Sequence, residues 1–294
     1  MESLVAVCRF VHFAAVFILF GSIAFRSVIA AGQVRGIVAP HLAKWQHIAI
    51  WFAAISAVVW LILAVAEAGD GLASAADPAM VAAFLTGTNF GRVWMLRLAL
   101  LGTLLAITIS SRKPSERLML VLTAILVGEL GWIGHPAEHD GVVGLLHCAN
   151  YSVHATAAAL WVGALPALAL SLALAKGDDM RADIAATVER FSRAGYLAVS
   201  LVVITGVIGT WSMLGTWPSW TASPYQFWLA IKLALVAVML GLAATNRFVF
   251  TPALMARPDP SRAALWRMTL GEVALGFTIL ALVAHFGMLP PMGE

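Results

Sequence analysis

The chain has 294 residues, of which 61% are hydrophobic and 11% are charged, and its mean hydropathy is +0.91. A soluble core of this size would need more surface charge than these residues supply, so the composition excludes a soluble globular protein. The net charge of +3 is typical of basic cytoplasmic loops in a membrane protein, and we do not expect nucleic-acid binding.

Apolar runs longer than about 18 residues recur along the whole chain, and they are continuous, not alternating. Because a bilayer core admits only helices or closed barrels, continuous runs predict an all-α polytopic membrane helix bundle. We predict about eight transmembrane helices in a single transmembrane domain covering residues 1–294. The predicted spans are 4–30, 46–68, 91–110, 118–135, 145–175, 192–214, 225–247 and 268–289. No strong internal sequence repeat is visible.

Loop charges predict the orientation of these helices. Fourteen of the eighteen basic residues fall in one alternating set of loops, whereas the other set is acidic or uncharged apart from Arg92. The fourteen are Arg26, Arg35, Lys44, Arg112, Lys113, Arg117, Lys176, Arg181, Arg190, Arg193, Arg247, Arg257, Arg262 and Arg267. The positive-inside rule makes the basic set cytoplasmic. Both termini of this multi-pass protein are therefore predicted to lie outside, in the periplasm if the cell is Gram-negative.

Histidines concentrate in the outer half of the predicted bundle, and imidazole is a ligand that suits copper, zinc and iron. The candidate metal ligands are His12, His135, His139, His147, His154 and His285. His147 and His154 are seven residues apart, so they face the same way about 10 Å apart, too far for one ion bound by both. Each would need partners from other segments. The alternative is a set of hydrogen-bonded packing histidines and a solvated polar loop.

Four ionisable side chains lie inside predicted spans, where charge is costly and often functional. They are Arg9, Arg97, Glu129 and Lys232, all in the outer half. Three cations beside one carboxylate do not suit a simple cation pore. They suit an anionic group such as haem propionates or a quinone head, so the three cations are candidate cofactor-binding residues. The alternative is snorkelling to the headgroups or mutual ion pairing.

Five segments, taken in order, carry a resemblance to a known family. They read RFVHFAAVFILFG, GHPAEHDGVVGLLHCANYSVHATAAALWVGALPAL, RFSRAGYLAVSLVVITGVIGT, YQFWLAIKLALVAVMLGLAATNRF and EVALGFTILALVAHFGMLPP. With these, the chain resembles the bacterial copper resistance protein D family of inner-membrane proteins. The resemblance implies copper handling, beside a separate periplasmic copper-binding partner of the CopC type. By residue match it implies His12, His135, His147 and His154 as ligands, whereas His139 and His285 come from topology alone.

Three functional hypotheses follow. In the first, a periplasm-facing His-rich site captures copper and moves it across or into the membrane, which is transporter-like and not enzymatic. In the second, the chain is a membrane oxidoreductase with b-type haem that passes electrons from quinol to periplasmic copper, with His12 and His147 or His154 as axial ligands. In the third, it is a scaffold that docks a periplasmic copper protein and binds no metal itself. No phosphate-binding glycine loop, nucleophile elbow or HExxH motif favours a hydrolase or an ATP-driven pump.

Overall fold

The structure, a computed structural model, describes residues 2–110, 114–134, 141–216, 218–220, 223–256 and 258–291. Its α-helices are α1 (Glu2–Ala24), α2 (Gly32–Ala68), α3 (Leu72–Ala76), α4 (Pro78–Gly87), α5 (Asn89–Ile109), α6 (Glu116–Gly128), α7 (Gly141–Leu174), α8 (Arg181–Leu214), α9 (Pro224–Thr245), α10 (Thr251–Ala256) and α11 (Pro258–Phe286). Short π turns follow α1 and α9 at Phe25–Ile29 and Asn246–Phe250, and short 3₁₀ turns lie at Glu129–Trp132 and Asp178–Met180.

Within the described ranges, seven helices are long and apolar enough to cross a membrane. They are built on α1, α2, α5, α7, α8, α9 and α11. The one remaining predicted span, 118–135, corresponds to α6 and the 3₁₀ turn that continues it, which together are shorter than the others. The prediction of an all-α polytopic bundle is confirmed.

Contacts between helix ends define the two ends of the bundle. At one end, which we call the inner end, Arg26 after α1 pairs with Glu116 at the start of α6, at 3.3 Å. At the opposite, outer end, a Cβ placed on Gly287 would lie 2.9 Å from Nη2 of Arg9. The start of α1 and the end of α11 are therefore neighbours at the outer end. The described parts of the basic loops lie at the inner end, which the positive-inside rule assigns to the cytoplasm.

Helices α2 and α8 are among those that begin well before their predicted spans, and their inner parts are amphipathic and carry charge. Val34, Val38 and Leu42 recur every four residues along α2 and are buried. They share a core with Ile184 and Val188 of α8. This second core closes the inner end of the bundle, which the hydropathy pattern alone does not reveal.

The start of α2 is capped by side chains from α8. Ala31 supplies no cap of its own. Instead the Asp183 carboxylate accepts the Gln33 N–H at 2.8 Å, and the Thr187 hydroxyl accepts the Ala31 N–H at 3.0 Å. Gly32 has φ of 45°, and a Cβ there would lie 2.2 Å from the Asp183 carboxylate oxygens. Only glycine therefore fits at this junction.

The bundle is organised around α1 and α7, which run in the same direction and cross closely. From Ala157 to Leu172 no residue of α7 is exposed, as expected for a helix buried on all sides. A Cβ on Gly163 would lie 2.0 Å from the Phe17 carbonyl oxygen, and one on Gly21 would lie 2.0 Å from the Gly163 carbonyl carbon. Small residues thus let the two backbones touch, as in other membrane helix pairs.

Cysteine labelling checks the orientation of the bundle. Asp70 follows α2 at the outer end, Asp179 precedes α8 at the inner end, and both are exposed, whereas Cys8 and Cys148 are buried. We expect a membrane-impermeant maleimide to label Asp70→Cys in intact spheroplasts and Asp179→Cys only after lysis. The unmodified chain is the control and should remain largely unlabelled. Labelling of Asp179→Cys alone in intact spheroplasts would reverse the assigned orientation.

Candidate functional site

His12 lies at the centre of a buried cluster between α1 and α2. Its Nδ1 is 3.1 Å from the Ala53 carbonyl oxygen and 3.0 Å from the Ser56 hydroxyl. Because a carbonyl oxygen only accepts, the contact with Ala53 requires the proton on Nδ1. The neutral ring then carries its lone pair on Nε2, which is buried and has no hydrogen-bond partner among the described residues. This is the form in which histidine binds a metal ion.

A charged and aromatic group surrounds this imidazole in the outer half. Nε and Nη2 of Arg97 donate to the two carboxylate oxygens of Glu129, each at 2.7 Å, and neither side chain is more than 3% exposed. The Arg97 guanidinium lies 3.9 Å from the Trp94 ring centroid, and the Arg9 guanidinium lies 5.3 Å from that of Trp60. Arg97 therefore forms the ion pair of the alternative interpretation, whereas buried Nε of Arg9 has no partner in the described part of the chain.

His154 lies in a second cluster between α7 and α8. Its Nδ1 is 2.9 Å from the Thr205 hydroxyl oxygen. That hydroxyl donates its hydrogen to the Leu201 carbonyl, so it accepts from Nδ1–H and leaves the lone pair of a neutral ring on Nε2. The Asn150 amide donates to the Thr205 carbonyl at 3.0 Å. Lys232 of α9 lies within electrostatic range of the imidazole.

The remaining candidate histidines are more peripheral. His147 is half-buried on α7, two turns nearer the outer end than His154. His285 is exposed near the end of α11, where its ring lies edge-on to Trp228 with the centroids 5.7 Å apart. The other two, His135 and His139, fall outside the described residues.

His12 and His154 do not converge on one pocket. Each lies nine residues before the glycine at which α1 and α7 cross, Gly21 and Gly163 respectively. Nine residues are two and a half helical turns, so each imidazole leaves its helix on the side away from the crossing. The two rings bond to different partner helices, α2 and α8. Because the rings of His12 and His154 point in opposite directions, they cannot both bind the same metal ion or the same haem.

The candidate ligands form no single multi-ligand centre in the part of the chain that the structure describes. Among the residues that the structure describes, no group of three or more His, Cys, Asp or Glu side chains is placed to hold one metal ion. Each imidazole instead presents a single nitrogen, oriented by hydrogen bonds on its other side. An ion bound there would complete its coordination with mobile ligands, as open sites do.

The sequence reasoning missed the side chains that orient the imidazoles. Ser56 and Thr205 are hydroxyl residues within long apolar runs, and such residues are common in membrane helices without any special role. Trp60 and Trp94 were also missed, although they form the wall against which both guanidiniums lie. These four residues could have been found in the sequence as polar or aromatic side chains predicted to lie at the same depth in the membrane as the buried charges.

Two family models match the chain in its two halves. The model described as "Copper resistance protein D-like, N-terminal domain" matches residues 1–145. The model described as "Copper resistance protein D" matches residues 185–286. No solved structure matches the chain.

Three bacterial proteins are similar to this chain over most of its length. The "Inner membrane protein YebZ" of Escherichia coli K12 is 30% identical over 286 residues, 96% of this chain and 97% of that protein. The "Copper resistance protein D" of Pseudomonas syringae pv. tomato is 33% identical over 222 residues, 71% of each chain. The "Copper transport protein CutJ" of Bacillus subtilis 168 is 29% identical over 238 residues, 78% of this chain and 42% of that protein. With its helical bundle and its seven candidate spans, the chain is a multi-pass bacterial inner-membrane protein that belongs to the copper resistance protein D family.

Proposed function

We propose that the chain captures copper ions at its periplasm-facing half and moves them across or into the membrane. The names of two relatives associate those proteins with copper resistance and copper transport. The observation that carries the proposal is the geometry of His154, whose Nδ1 is held by the Thr205 hydroxyl so that Nε2 is the nitrogen left to bind a metal ion. Neutral imidazole is a suitable copper ligand.

Helix α7 supplies the route inward. His147 and His154 lie on one face of it, with His147 nearer the outer end. An ion taken by the outer imidazole can pass to the inner one, about 10 Å further along the helix, if a neighbouring ligand or water bridges the step. The sequence places His135 and His139 just before this helix, where they are candidate ligands for first capture. A separate CopC-type donor protein in the periplasm remains an expectation from the family resemblance.

A second candidate function, a haem-containing oxidoreductase, is favoured by the buried cations. Arg9 has no carboxylate partner among the described residues, and Lys232 lies near His154, so both are available to an anionic group. Arg97 is less available, because two of its nitrogens are engaged by Glu129. An optical spectrum of the purified protein separates the candidates. A Soret band would favour the oxidoreductase and its absence would remove it.

Replacing His154 tests the copper proposal directly. We expect His154→Ala to weaken copper binding by the purified protein at least about 10–100-fold, and to lower copper uptake by cells, because the oriented nitrogen is lost. His41→Ala is the matched control, since this histidine is exposed at the inner end. Copper content measured against a competing chelator gives the affinity. Wild-type protein that binds no copper would leave the docking scaffold as the better hypothesis.

A further inference from the structure

The two halves of the bundle carry the same set of interactions at matching positions. In the first half, His12 on α1 bonds through Nδ1 to the hydroxyl of Ser56 on the next long helix. In the second half, His154 on α7 bonds through Nδ1 to the hydroxyl of Thr205 on the next long helix. Each hydroxyl in turn donates to the carbonyl four residues before it in its own helix. Both imidazoles therefore share one tautomer, fixed by the same kind of partner.

The match extends to the residue four positions before each histidine. Cys8 donates from its thiol to the Ser56 carbonyl at 3.2 Å. Asn150 donates from its amide to the Thr205 carbonyl at 3.0 Å. The residue types differ, but each performs the same task, because each holds the backbone of the residue whose hydroxyl orients the imidazole.

Two further features complete the correspondence. A cation from the third long helix of each half, Arg97 on α5 or Lys232 on α9, lies within electrostatic range of the imidazole. The glycines nine residues after the two histidines are the pair that meets at the α1–α7 crossing. Two parallel central helices that touch at equivalent residues are the arrangement of two repeats related by a twofold axis along the membrane normal.

We propose that the bundle is a twofold repeat with two equivalent copper sites, one built on His12 and one on His154. Ser56 and Thr205 are the positioning residues, because each bonds to Nδ1 of its imidazole and the lone pair of the neutral ring is then on Nε2. This inference rests on the proposed copper function and adds the number and equivalence of the sites. The twofold relation makes the sites face opposite sides of the central helix pair, so two ions bind independently and not as one bridged centre.

The cation at the His154 site sets how tightly that site holds copper, whereas the charge of Arg97 at the His12 site is balanced by Glu129. The positive charge of Lys232 opposes the arrival of a second positive charge, so the His154 site holds copper weakly enough to release it. Replacing Lys232, which forms no ion pair with the described residues, removes this opposition without leaving a carboxylate unpaired. Lys232→Met is therefore expected to bind copper at least tenfold more tightly at the His154 site and to release it more slowly.

Counting copper per chain tests the equivalence. Protein reconstituted in nanodiscs and titrated with Cu(I) against a chelator should bind two ions, with one lost in His12→Ala, one in His154→Ala and both in the double variant. His41→Ala should retain two. A single ion that disappears with His154→Ala alone would overturn the two-site inference and leave the proposed function standing. Wild type without any copper would remove both.

A second measurement separates positioning from folding. Thr205→Val keeps the shape and removes the hydroxyl, whereas Thr205→Ser keeps the hydroxyl, and Ser56→Ala and Ser56→Thr form the matching pair in the other half. We expect the hydroxyl-free variants to lose the nitrogen-ligand signal of their own site in X-ray absorption of bound copper, and the hydroxyl-bearing variants to retain it. Equal signals in all four folded variants would show that the hydroxyls do not position the imidazoles.

Discussion

Gly163→Val is expected to prevent assembly of the bundle. A Cβ at this position would lie 2.0 Å from the Phe17 carbonyl oxygen, which is backbone and cannot rotate away. The clash can be relieved only by separating α1 and α7, and these helices form the buried centre of the molecule. We expect a loss of stability larger than about 4–5 kcal/mol, the range in which single substitutions are exceptional. Fluorescence-detected size-exclusion chromatography after mild heating measures the loss.

Gly241→Val is the matched control for this prediction. Gly241 lies within α9, and a Cβ there meets no atom within 4 Å, so the added side chain points toward lipid. This variant should elute and melt like the wild type. If Gly163→Val also elutes as a monodisperse peak with unchanged melting, the close contact between α1 and α7 is not a feature of the folded protein.

Glu129→Gln is expected to lower the free energy of unfolding by about 3–5 kcal/mol, because it leaves the fully buried Arg97 guanidinium without its counter-charge. The matched control is Glu116→Gln, since the Glu116 carboxylate is 41% exposed in its pair with Arg26 and should contribute at most about 1 kcal/mol. Thermal unfolding of the purified variants in one detergent compares them.

The double replacement Arg97→Met with Glu129→Met separates charge from packing. It removes both charges together, so it should recover most of the stability that Glu129→Gln loses. If the double variant is no more stable than Glu129→Gln, the two side chains stabilise the bundle through their packing. The claim that an unpaired buried charge causes the loss is then wrong.

Much of the fold could be predicted from the sequence, because bilayer thickness limits the length of a span and basic loops indicate its direction. The sequence also predicted that Arg97 and Glu129 lie at similar depth in adjacent spans, and the structure shows that they pair. The inner parts of α2 and α8 were not predicted to be helical. Their apolar residues recur at helical spacing, but the charged residues between them lower the mean hydropathy. Such segments are buried only because two of them meet.

The candidate site was less predictable than the fold. Sequence spacing places His12 and His154 at one depth, but it does not give the rotation of one helix about its axis relative to another. That rotation is set by the Gly21–Gly163 contact and turns the rings apart. The repeat was invisible for a related reason. Cys8 and Asn150 are different residue types, so a sequence comparison of the two halves does not match them. In the structure, however, the thiol and the amide each donate a hydrogen bond to a backbone carbonyl.

The capping of α2 by α8 has a consequence for biosynthesis. The Gln33 N–H is satisfied by Asp183, 150 residues later in the chain. At about 5–20 residues per second, the ribosome adds Asp183 roughly 8–30 s after it has added Gln33. Until then the first turn of α2 has no protein acceptor for these amides and must be solvated by water or headgroups. The cap on α2 therefore forms only after α8, in the second half of the polypeptide, has been translated and inserted.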